Sequence, residues 1–385
     1  MIRLLYITDF TEQFAYRLLK GILEYSKSHE PWIVMRVPPE YKKSIGMENL
    51  VKWALEWKAD IVIGTFEPDD NISLFKEHGI VVLVQDYIKK FKDVPNITGD
   101  DLATGRMAAE YFLDRGFKNF GFFGHNGVCW SDERREAFRS TVQNAGYQSF
   151  HVYYGQTLDK RWHYTAKDLT EWLSRLPKPI AIMCCDDNQG AILLEGCNSC
   201  GIKVPDELSV IGVDNDSILD NMSEPTLSSI DVDIERGGAE VAEMATRMVH
   251  NKNYKGHDII LHPVEVKTRI SSSAYATNDG AVLKALQYIH KNIDQKISVN
   301  DILTEVPLSR RLLEIRFRQV TKESIYSYIS RQRIKCFASL LLSSTDSVSL
   351  IAQNMGEDDS NSITRRFKII MGCTPMEYRK AHTNR

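Results

Sequence analysis

Short apolar segments alternate with amphipathic helical segments over about the first 270 residues of the chain. The apolar segments are nearly free of polar side chains, which is typical of strands buried on both faces of a parallel sheet. Strands that alternate with helices in this way predict β-α-β units. The predicted strands are Ile2–Ile7, Ile33–Val37, Ile61–Thr65, Val81–Val84, Asn119–Phe123, Phe150–Tyr154, Ile180–Cys184 and Ser209–Val213.

These units are too many for one small sheet, so we expect two α/β lobes with parallel sheets and a cleft between them. Ligands of such sheets bind beyond the carboxyl ends of the strands, which makes the cleft the expected ligand site. Residues 271–280 are small and polar without periodicity, and they predict an interdomain linker. The predicted division is therefore a two-lobed domain at 1–270, a linker at 271–280 and a further domain at 281–385.

After the linker a helical period replaces the short apolar segments, and no further strand is predicted. Two helix pairs predict two helix-turn-helix units, because Pro307 ends the first helix of one pair and Gly356 ends that of the other. Ser298, Ser309 and Ser347 are well placed as helix N-caps. The predicted pairs are Val299–Glu305 with Arg310–Val320 and Val348–Met355 with Asp359–Met371, and Ile325–Leu342 is a long helix between them.

The second helix of each pair combines a short apolar seam with polar or basic outer faces. Leu313 and Phe317 form one seam, and Ile363 and Phe367 belong to the other. The DNA major groove admits such a helix, and its polar side chains can contact base edges or phosphates. An ordinary helical bundle with a basic surface is the alternative. The candidate DNA-contacting residues are Arg310, Arg311, Glu314, Arg318, Asn361, Ser362, Thr364, Arg365, Arg366 and Lys368.

Charge is distributed unevenly, although the net charge is only −3. Residues 281–385 contain 17 Lys and Arg against 10 Asp and Glu, whereas the other 280 residues contain 31 against 41. A basic tail behind an acidic front indicates a polyanionic partner for the tail. A chance asymmetry of the solvated surface is the alternative.

The seven cysteines do not indicate a disulfide framework, because their number is odd and the chain is long. Cys197 and Cys200 have the Cys-x-x-Cys spacing of some zinc sites. Both fall in a predicted helix with no histidine close by in sequence, where buried thiols act as small hydrophobic side chains. We therefore expect no metal and no cofactor.

The tail resembles the AraC/XylS-type DNA-binding domain over about its last 100 residues. The resemblance rests on Ile334–Leu342, on Val348–Gly356 and above all on Phe367–Arg379, which has the pattern Phe-Lys-x-x-x-Gly-x-Thr-Pro-x-x-Tyr-Arg. It implies two helices that read double-stranded DNA. Three positions differ from the usual pattern, with Lys322 in place of Gly, Glu357 in place of Phe and Ile363 in place of an aromatic residue.

The front of the chain resembles the LacI/GalR-type sensor, which is similar to periplasmic sugar-binding proteins. The resemblance is clearest in Gly201–Asn215, which is similar to a family segment that ends in Gly-[Phe/Tyr]-Asp. Asp187 matches the family's ligand-binding Asp before a helix. Arg134 matches the Arg of its Arg-x-x-Gly-Phe motif, with Ala137 in place of Gly. The resemblance implies a two-lobed, periplasmic-binding-protein-like fold that holds a small sugar in its cleft.

A sugar ring combines vicinal hydroxyls with apolar CH faces, which suits a site of carboxylates, an Arg and aromatic rings. Carboxylates accept from two hydroxyls, the guanidinium donates in a fixed fork, and an aromatic ring stacks on the CH face. For each charged residue the alternative is a surface salt bridge or a helix-start charge. The predicted ligand-contacting residues are Asp187, Arg134, Trp130, Glu133, Phe14, Phe66 and Asp214.

A sensor followed by an AraC-type tail resembles pentose-responsive regulators and implies an activator of genes for the catabolism of a xylose-like pentose. The implied partners are double-stranded DNA, the sugar, a second copy of the chain and RNA polymerase. A cytoplasmic sugar-metabolising enzyme with an accessory helical domain is the alternative. Walker A, His-Glu-x-x-His and Gly-x-Ser-x-Gly motifs are absent from the sequence, so we expect no enzymatic activity.

The sequence also predicts where the protein resides. No segment approaches the roughly 20 apolar residues of a membrane helix. The N-terminus has the pattern of a first strand and not that of a secretory signal. We therefore expect a cytoplasmic protein that does not contact a membrane, and not an exported sugar-binding protein.

Overall fold

The short apolar segments form two sheets in the computed structural model, which describes residues 1–9, 13–85, 88–154, 166–277, 279–357 and 359–383. The strands are β1 (Ile2–Ile7), β2 (Trp32–Val37), β3 (Ile61–Gly64), β4 (Val81–Gln85), β5 (Asn96–Gly99), β6 (Phe120–Gly124), β7 (Phe150–Tyr154), β8 (Ile180–Cys184), β9 (Leu208–Val213), β10 (Ser228–Val232), β11 (Ile259–Leu261) and β12 (Pro263–Lys267). The first lobe contains the sheet β11-β5-β4-β3-β1-β2, and the second lobe contains β12-β10-β9-β8-β6-β7.

Helices cover the two sheets and form the rest of the chain. Those that precede the tail are α1 (Gln13–Ser28), α2 (Pro39–Glu56), α3 (Ser73–Glu77), α4 (Asp101–Asp114), α5 (Cys129–Asn144), α6 (Ala166–Ser174), α7 (Asp187–Ser199), α8 (Ser217–Met222) and α9 (Ile234–His250). The tail has α10 (Gly280–Lys291), α11 (Val299–Glu305), α12 (Arg310–Thr321), α13 (Ile325–Ser343), α14 (Val348–Asn354), α15 (Ser360–Met371) and α16 (Pro375–Thr383). The predicted fold class, two parallel α/β lobes and an all-helical tail, is confirmed.

The central strands are buried along their whole length, as expected for parallel sheets with helices on both faces. Every residue of β3, β6, β8 and β9 is buried. Strand pairing is parallel throughout the described sheets except for β12, which runs antiparallel to β10. All eight predicted strands are present, with ends that differ by no more than one residue.

Sequence patterning missed the four strands β5, β10, β11 and β12. β5 and β10 are short and carry polar residues, and β11 and β12 lie close together around a single residue, His262. All four lie where the chain passes between the lobes. The polar residues of β5 and β10 bond to neighbouring segments, as Asn96 does to Asp258 and Ser229 to Asp187, and they interrupt the apolar pattern that identifies a buried strand.

The chain passes between the lobes through α4, through α9 and from β11 to β12. Polar contacts hold these three crossings together. Asp100, just before α4, accepts from His262 (3.2 Å between Oδ2 and Nδ1), and its amide donates to the carbonyl of Leu261 (2.8 Å). The amide of His262 donates to Asp233 Oδ1 (2.6 Å), just before α9. Relative motion of the lobes would therefore act directly on the start of α4.

The segment predicted as a linker packs against the second lobe. Ser271 and Ser272 are fully buried in a short 3-10 helix, and Ser271 Oγ donates to the carbonyl of Val210 (2.8 Å). Asp279 caps α10, while Asn278 lies outside the described residues. Small polar residues of this segment thus satisfy buried backbone groups of the second lobe, such as the amide of Ser228 and the carbonyl of Val210.

Two separate hydrophobic clusters organise the tail. The first is formed by α10, α11, α12 and the start of α13, and the second by the end of α13 with α14, α15 and α16. Tyr328 is fully buried in the first cluster and Phe337 in the second, so α13 belongs to both. Every helix in the described part of the chain is too short or too polar to cross a membrane.

Candidate effector cavity and nucleic-acid interface

A cavity of about 780 Å³, measured to its open mouth, lies at the carboxyl ends of strands from both lobes. The first lobe and its crossings contribute Gln13, Phe14, Gln85, Gly99 and Leu261. The second lobe contributes Trp130, Arg134, Asp186, Asp187, Asn188, Val213, Asp214, Asp216, Leu219 and Val232.

Arg134 on α5 is the buried cation of this cavity, with 7% of its surface exposed. Its Nε donates to Asp101 Oδ1 (2.7 Å) and its Nη1 donates to the carbonyl of Cys185 (2.6 Å). Burial by itself would lower the pKa of this guanidinium, but Asp101 and Asp214 raise it. The side chain is therefore charged, fixed in place and able to present a rigid fork to a ligand.

Asp214 is the carboxylate that faces Arg134 in the cavity. Within the described residues its Oδ1 is shielded from solvent and has no hydrogen-bond partner. Burial raises the pKa of Asp214 to about 6, against the opposite effect of Arg134. Its φ of +96° lies in a region that costs a non-glycine residue about 1–3 kcal/mol. Asp214 is thus held in a strained backbone position as a buried acceptor that lacks a donor.

Asp187, at the start of α7, is 2% exposed and organises the neighbouring turn. Its Oδ2 accepts from the amide of Asp216 (2.7 Å) and its Oδ1 accepts from Ser229 Oγ (2.7 Å). A Cβ at Gly212 would lie 2.0 Å from Oδ1, so that position has room only for glycine. The predicted ligand contact of Asp187 stays a prediction, and the described contacts show that it fixes the segment that carries Asp214.

Two of the predicted aromatic residues line the cavity and one lies elsewhere. Phe14 and Trp130 line it, and the Trp130 ring centroid lies 5.1 Å from the Arg134 guanidinium, within the distance of a cation–π contact. Phe66 is 3% exposed in a core cluster of the first lobe, 6.4 Å from the Phe75 ring and 5.3 Å from Lys42 Nζ. Its ring turns into the core after β3, which strand position alone could not indicate.

Glu133 precedes Arg134 on α5 but does not belong to the cavity lining. Its carboxylate lies 3.8 Å from Lys90 Nζ, and both side chains are about 40% exposed. Successive residues of a helix point about 100° apart, so the neighbour of a buried arginine faces outwards. Lys90 belongs to the first lobe and Glu133 to the second, which makes this pair a bridge across the cleft.

His125, Cys185 and Asp186 form the one group in the described chain whose side chains have the composition and proximity of a metal site, with ligand atoms within 4.8 Å of one another. Metals bind the thiolate, whereas burial raises the pKa of Cys185 well above its usual value. Asp186 Oδ1 already caps α7 by accepting from Gln189 N (2.7 Å). Cys197 is buried in the core while Cys200 is exposed. These donors fit structural roles.

Sequence reasoning missed Gln85 and Asp186, which line the cavity, and Asp101, which accepts from the lining residue Arg134. Each follows the carboxyl end of a strand or ends one, and that position is the signal that could have identified Gln85 and Asp186. Asp101 follows β5, which the sequence did not predict. The pairing of Asp101 with Arg134 could therefore not be predicted from the positions of strand ends.

The two reading helices, α12 and α15, repeat each other 50 residues apart. Leu313 and Phe317 are fully buried in α12, as are Ile363 and Phe367 in α15. Their N-caps are Ser309 and Asp359. Both helices end on a left-handed residue, Lys322 (φ +67°) and Gly372 (φ +77°). Lys322 therefore adopts the backbone conformation for which the family uses glycine, and the helix end is retained.

The predicted DNA-contacting side chains lie largely on the outer surface of these helices. Arg310, Arg311 and Arg318 are exposed on α12. On α15, Asn361, Ser362, Arg365 and Lys368 are exposed, whereas Thr364 and Arg366 are half-buried, as is Glu314 on α12. Among these residues, Glu314 and Arg318 form a long ion pair of 3.9 Å. Each unit thus presents a free basic surface.

Glu357, which departs from the AraC/XylS pattern, is neutralised inside the second unit. Its Oε1 lies 2.8 Å from Arg333 Nη2, and its Oε2 lies 2.5 Å from Arg366 Nη2. Burial alone would raise the pKa of Glu357, but the two arginines lower it. The carboxylate links α13 to α15, so it supports the unit where an aromatic side chain would otherwise pack.

Family models match both parts of the chain. Residues 109–272 match a periplasmic binding protein-like domain, and residues 302–381 match a helix-turn-helix domain. Together with the interlobe cavity and the paired reading helices, these matches define a sugar-responsive, DNA-binding transcription regulator. Its domain order is that of the XylR-type regulators, a LacI/GalR-like sensor followed by an AraC/XylS-type domain.

The chain is similar over its full length to the xylose operon regulatory protein of Escherichia coli K12, with 27% identity over 99% of this chain and 97% of the relative. It is 28% identical to the xylose operon regulatory protein of Haemophilus influenzae over 74% of each chain. A solved structure of the xylose-binding transcription activator xylR matches with a TM-score of 0.59 and 25% identity, covering 99% of this chain and 98% of that chain. The names of these relatives describe regulators of transcription.

Proposed function

We propose that the cavity binds an aldopentose such as xylose and that the bound sugar changes how the tail engages DNA at genes of pentose catabolism. The observation that carries this proposal is a buried, fixed Arg134 that lines the cavity together with Asp214, one of whose oxygens is shielded and lacks a donor among the described residues. Vicinal hydroxyls supply both donors and acceptors to such a pair. The printed names of the full-length relatives support xylose as the first sugar to test.

Each lining residue has a proposed role. Arg134 donates to ring or hydroxyl oxygens, Asp214 accepts from two hydroxyls, and Phe14 and Trp130 cover the CH faces. Asp187 contacts the sugar while it holds the Asp214 segment in place. Glu133 and Phe66 stay predictions as sugar contacts, because neither belongs to the lining of the cavity.

The proposed switch is closure of the two lobes around the sugar. Polar pairs already bridge the mouth of the cleft, with Lys90 and Glu133 at 3.8 Å and Gln13 Nε2 donating to Ser217 Oγ at 3.3 Å. These exposed contacts are weak enough to break and form again. A sugar that touches both lobes binds the closed form better, and this difference in affinity supplies the free energy of the switch.

On the DNA side, α12 and α15 are proposed to enter successive major-groove segments as a homodimer, because half-sites repeat and related sensors pair through their lobes. The chain would then act in the cytoplasm, where its DNA is, as an activator that contacts RNA polymerase. The proposed functional units are the sensor at 1–270, the connecting segment at 271–280 and the DNA-binding domain at 281–385. We propose no chemistry on the sugar.

Thermal melting against a panel of pentoses, hexoses and their acids tests the sugar proposal. A sugar present at 100 times its Kd should stabilise the sensor by about 2.7 kcal/mol. We expect xylose or a close pentose to raise the melting temperature and to be recovered unchanged after prolonged incubation. Conversion of the sugar would favour the enzyme alternative, and a panel without any shift would refute the proposed site.

A further inference from the structure

One helix, α4, runs from the cavity to the DNA-binding domain. Its first residue is Asp101 and its last is Asp114, and both carboxylates are ion-paired to other elements. Fourteen residues span about 21 Å at 1.5 Å per residue. A helix of this length moves as a rigid body, so a displacement of its first turn also displaces its last turn.

The start of α4 is fixed by the cavity cation. Asp101, 1% exposed, accepts from Arg134, and its Oδ2 has no hydrogen-bond partner within the described residues. The helix also packs tightly on α5, because a Cβ at Gly105 would lie 2.3 Å from the carbonyl oxygen of Arg134. A ligand that takes hydrogen bonds from Arg134 therefore acts on the ion pair that holds this end of α4.

The end of α4 is held by the DNA-binding domain. Asp114 receives Arg331 Nη1 (2.7 Å), Gln332 Nε2 (2.8 Å) and Lys335 Nζ (3.0 Å), and its carbonyl accepts from Tyr328 Oη (2.9 Å). All four donors belong to α13. Burial by itself would raise the pKa of Asp114, but Lys335 and Arg331 lower it, so the carboxylate stays ionised.

The helix that Asp114 holds is the one that belongs to both reading units. Tyr328 is buried with α12 in the first cluster, and Phe337 is buried with α15 in the second. The covalent connection passes the same point, because the amide of Ala276 donates to the carbonyl of Arg115 (2.8 Å), directly after α4. A displacement of α4 that carries α13 with it would therefore reorient both reading helices together.

We propose that α4 is the coupling element of the regulator, with the Asp101–Arg134 pair as its input and the Asp114–α13 contacts as its output. Asp114 is a positioning residue that touches neither sugar nor DNA. The inference rests on the proposed function of the cavity, because the input requires a ligand that engages Arg134. Removing the Asp114 charge should uncouple the two sites while each site continues to bind.

The test measures coupling in the full-length chain. The DNA probe is a duplex that the wild-type chain selects from a random pool, and its Kd is measured with and without saturating xylose. Typical coupling changes affinity by about 5–150-fold. We expect this ratio to fall to within about twofold of one in Asp114→Asn, while the xylose Kd without DNA changes by less than about threefold. Glu136→Gln, an exposed charge change on α5, should keep the wild-type ratio.

A second variant protects the test against misfolding. Lys335→Met removes one of the cations that hold α4, since Lys335 lies 3.0 Å from both Glu110 and Asp114 and is 33% exposed, and it should weaken the coupling in the same direction. A wild-type ratio retained in both variants would overturn the coupling role of α4, even if their melting temperatures fell. If xylose failed to bind the wild-type chain at all, the proposed function itself would be refuted, which is a distinct result.

Discussion

The cavity and the reading helices use the same residue types in opposite surroundings. Arg134 is buried, ion-paired to Asp101 and close to a second carboxylate, whereas Arg310 and Arg311 stand exposed at the start of a surface helix. A buried charge is costly unless it is paired, so it is fixed in one geometry. An exposed charge costs little and remains free to meet a polyanion.

This difference predicts which property a charge-removing substitution will change in each region. In the cavity, loss of one charge leaves its partners buried and uncompensated, so stability and ligand binding fall together. On the reading helices, loss of a charge leaves only water behind, so DNA affinity falls while the fold is unaffected.

Arg134→Met should lower the free energy of unfolding by about 3–5 kcal/mol, because Asp101 would stay buried without its cation. Xylose binding should be lost as well. Arg135→Met is the matched control, since its pair with Asp132 is partly exposed and should contribute at most about 1 kcal/mol. Denaturant unfolding and calorimetric titration measure both effects. Equal destabilisation by the two variants would contradict the contrast between buried and exposed charge.

The double variant Arg310→Ala/Arg311→Ala should reduce DNA affinity at least about fivefold, because a bidentate contact to a base is worth about 1–3 kcal/mol. The salt dependence should also weaken, by about one unit of slope for each phosphate contact removed. Fluorescence anisotropy over a salt series measures both quantities. Lys27→Ala/Lys52→Ala removes the same charge from the sensor surface and should have little effect. A loss of xylose affinity in the α12 variant would undermine the two-module interpretation.

Sugar affinity should depend on pH through Asp214, whose pKa burial raises to about 6 against the effect of Arg134. Asp186 and Asp101 raise this pKa further, and Arg17 lowers it. Hydroxyls bind the ionised carboxylate, so below about pH 6 binding must release a proton and the xylose Kd should rise up to about tenfold per pH unit. Above that pH the Kd should be constant. Titration at pH 5 and pH 7.5 checks this, and Asp214→Asn should remove the difference.

The sequence predicted the strands whose residues are uniformly apolar, because burial on both faces imposes that pattern. It missed β5 and β10 because polar residues such as Asn96 and Ser229, which bond to neighbouring segments, interrupt that pattern. Contacts between residues far apart in sequence also limited the prediction of the site. Arg134 and Asp214 could be placed at strand ends, whereas the packing of Phe66 and the two contacts that occupy Asp187 depend on residues distant in sequence.

The paired reading helices were predictable for a different reason. Caps, turns and short apolar seams are encoded by residues close together in sequence. Ser309 caps α12 and Leu313 and Phe317 are its buried residues, as predicted. The role of Glu357 was not predictable, because its partner Arg333 lies 24 residues earlier on α13. The contacts of Asp114 with α13 could not be predicted for the same reason, because Arg331 lies 217 residues later in the chain.

Glu133→Gln should have the smallest effect on xylose affinity, because Glu133 lies outside the lining of the cavity. Its pair with Lys90 is long and exposed, and such pairs contribute at most about 1 kcal/mol, so the xylose Kd should change by less than about fivefold. Lys90→Met should have the same small effect, because it removes the same bridge from the other lobe. If Glu133 instead accepted a sugar hydroxyl, Glu133→Gln alone would weaken binding at least about tenfold, since hydrogen bonds to charged groups are worth about 1.5–3 kcal/mol. Calorimetric titration of both variants therefore distinguishes a bridge between the lobes from a contact with the sugar. A large effect of Glu133→Gln alone would show that Glu133 contacts the sugar.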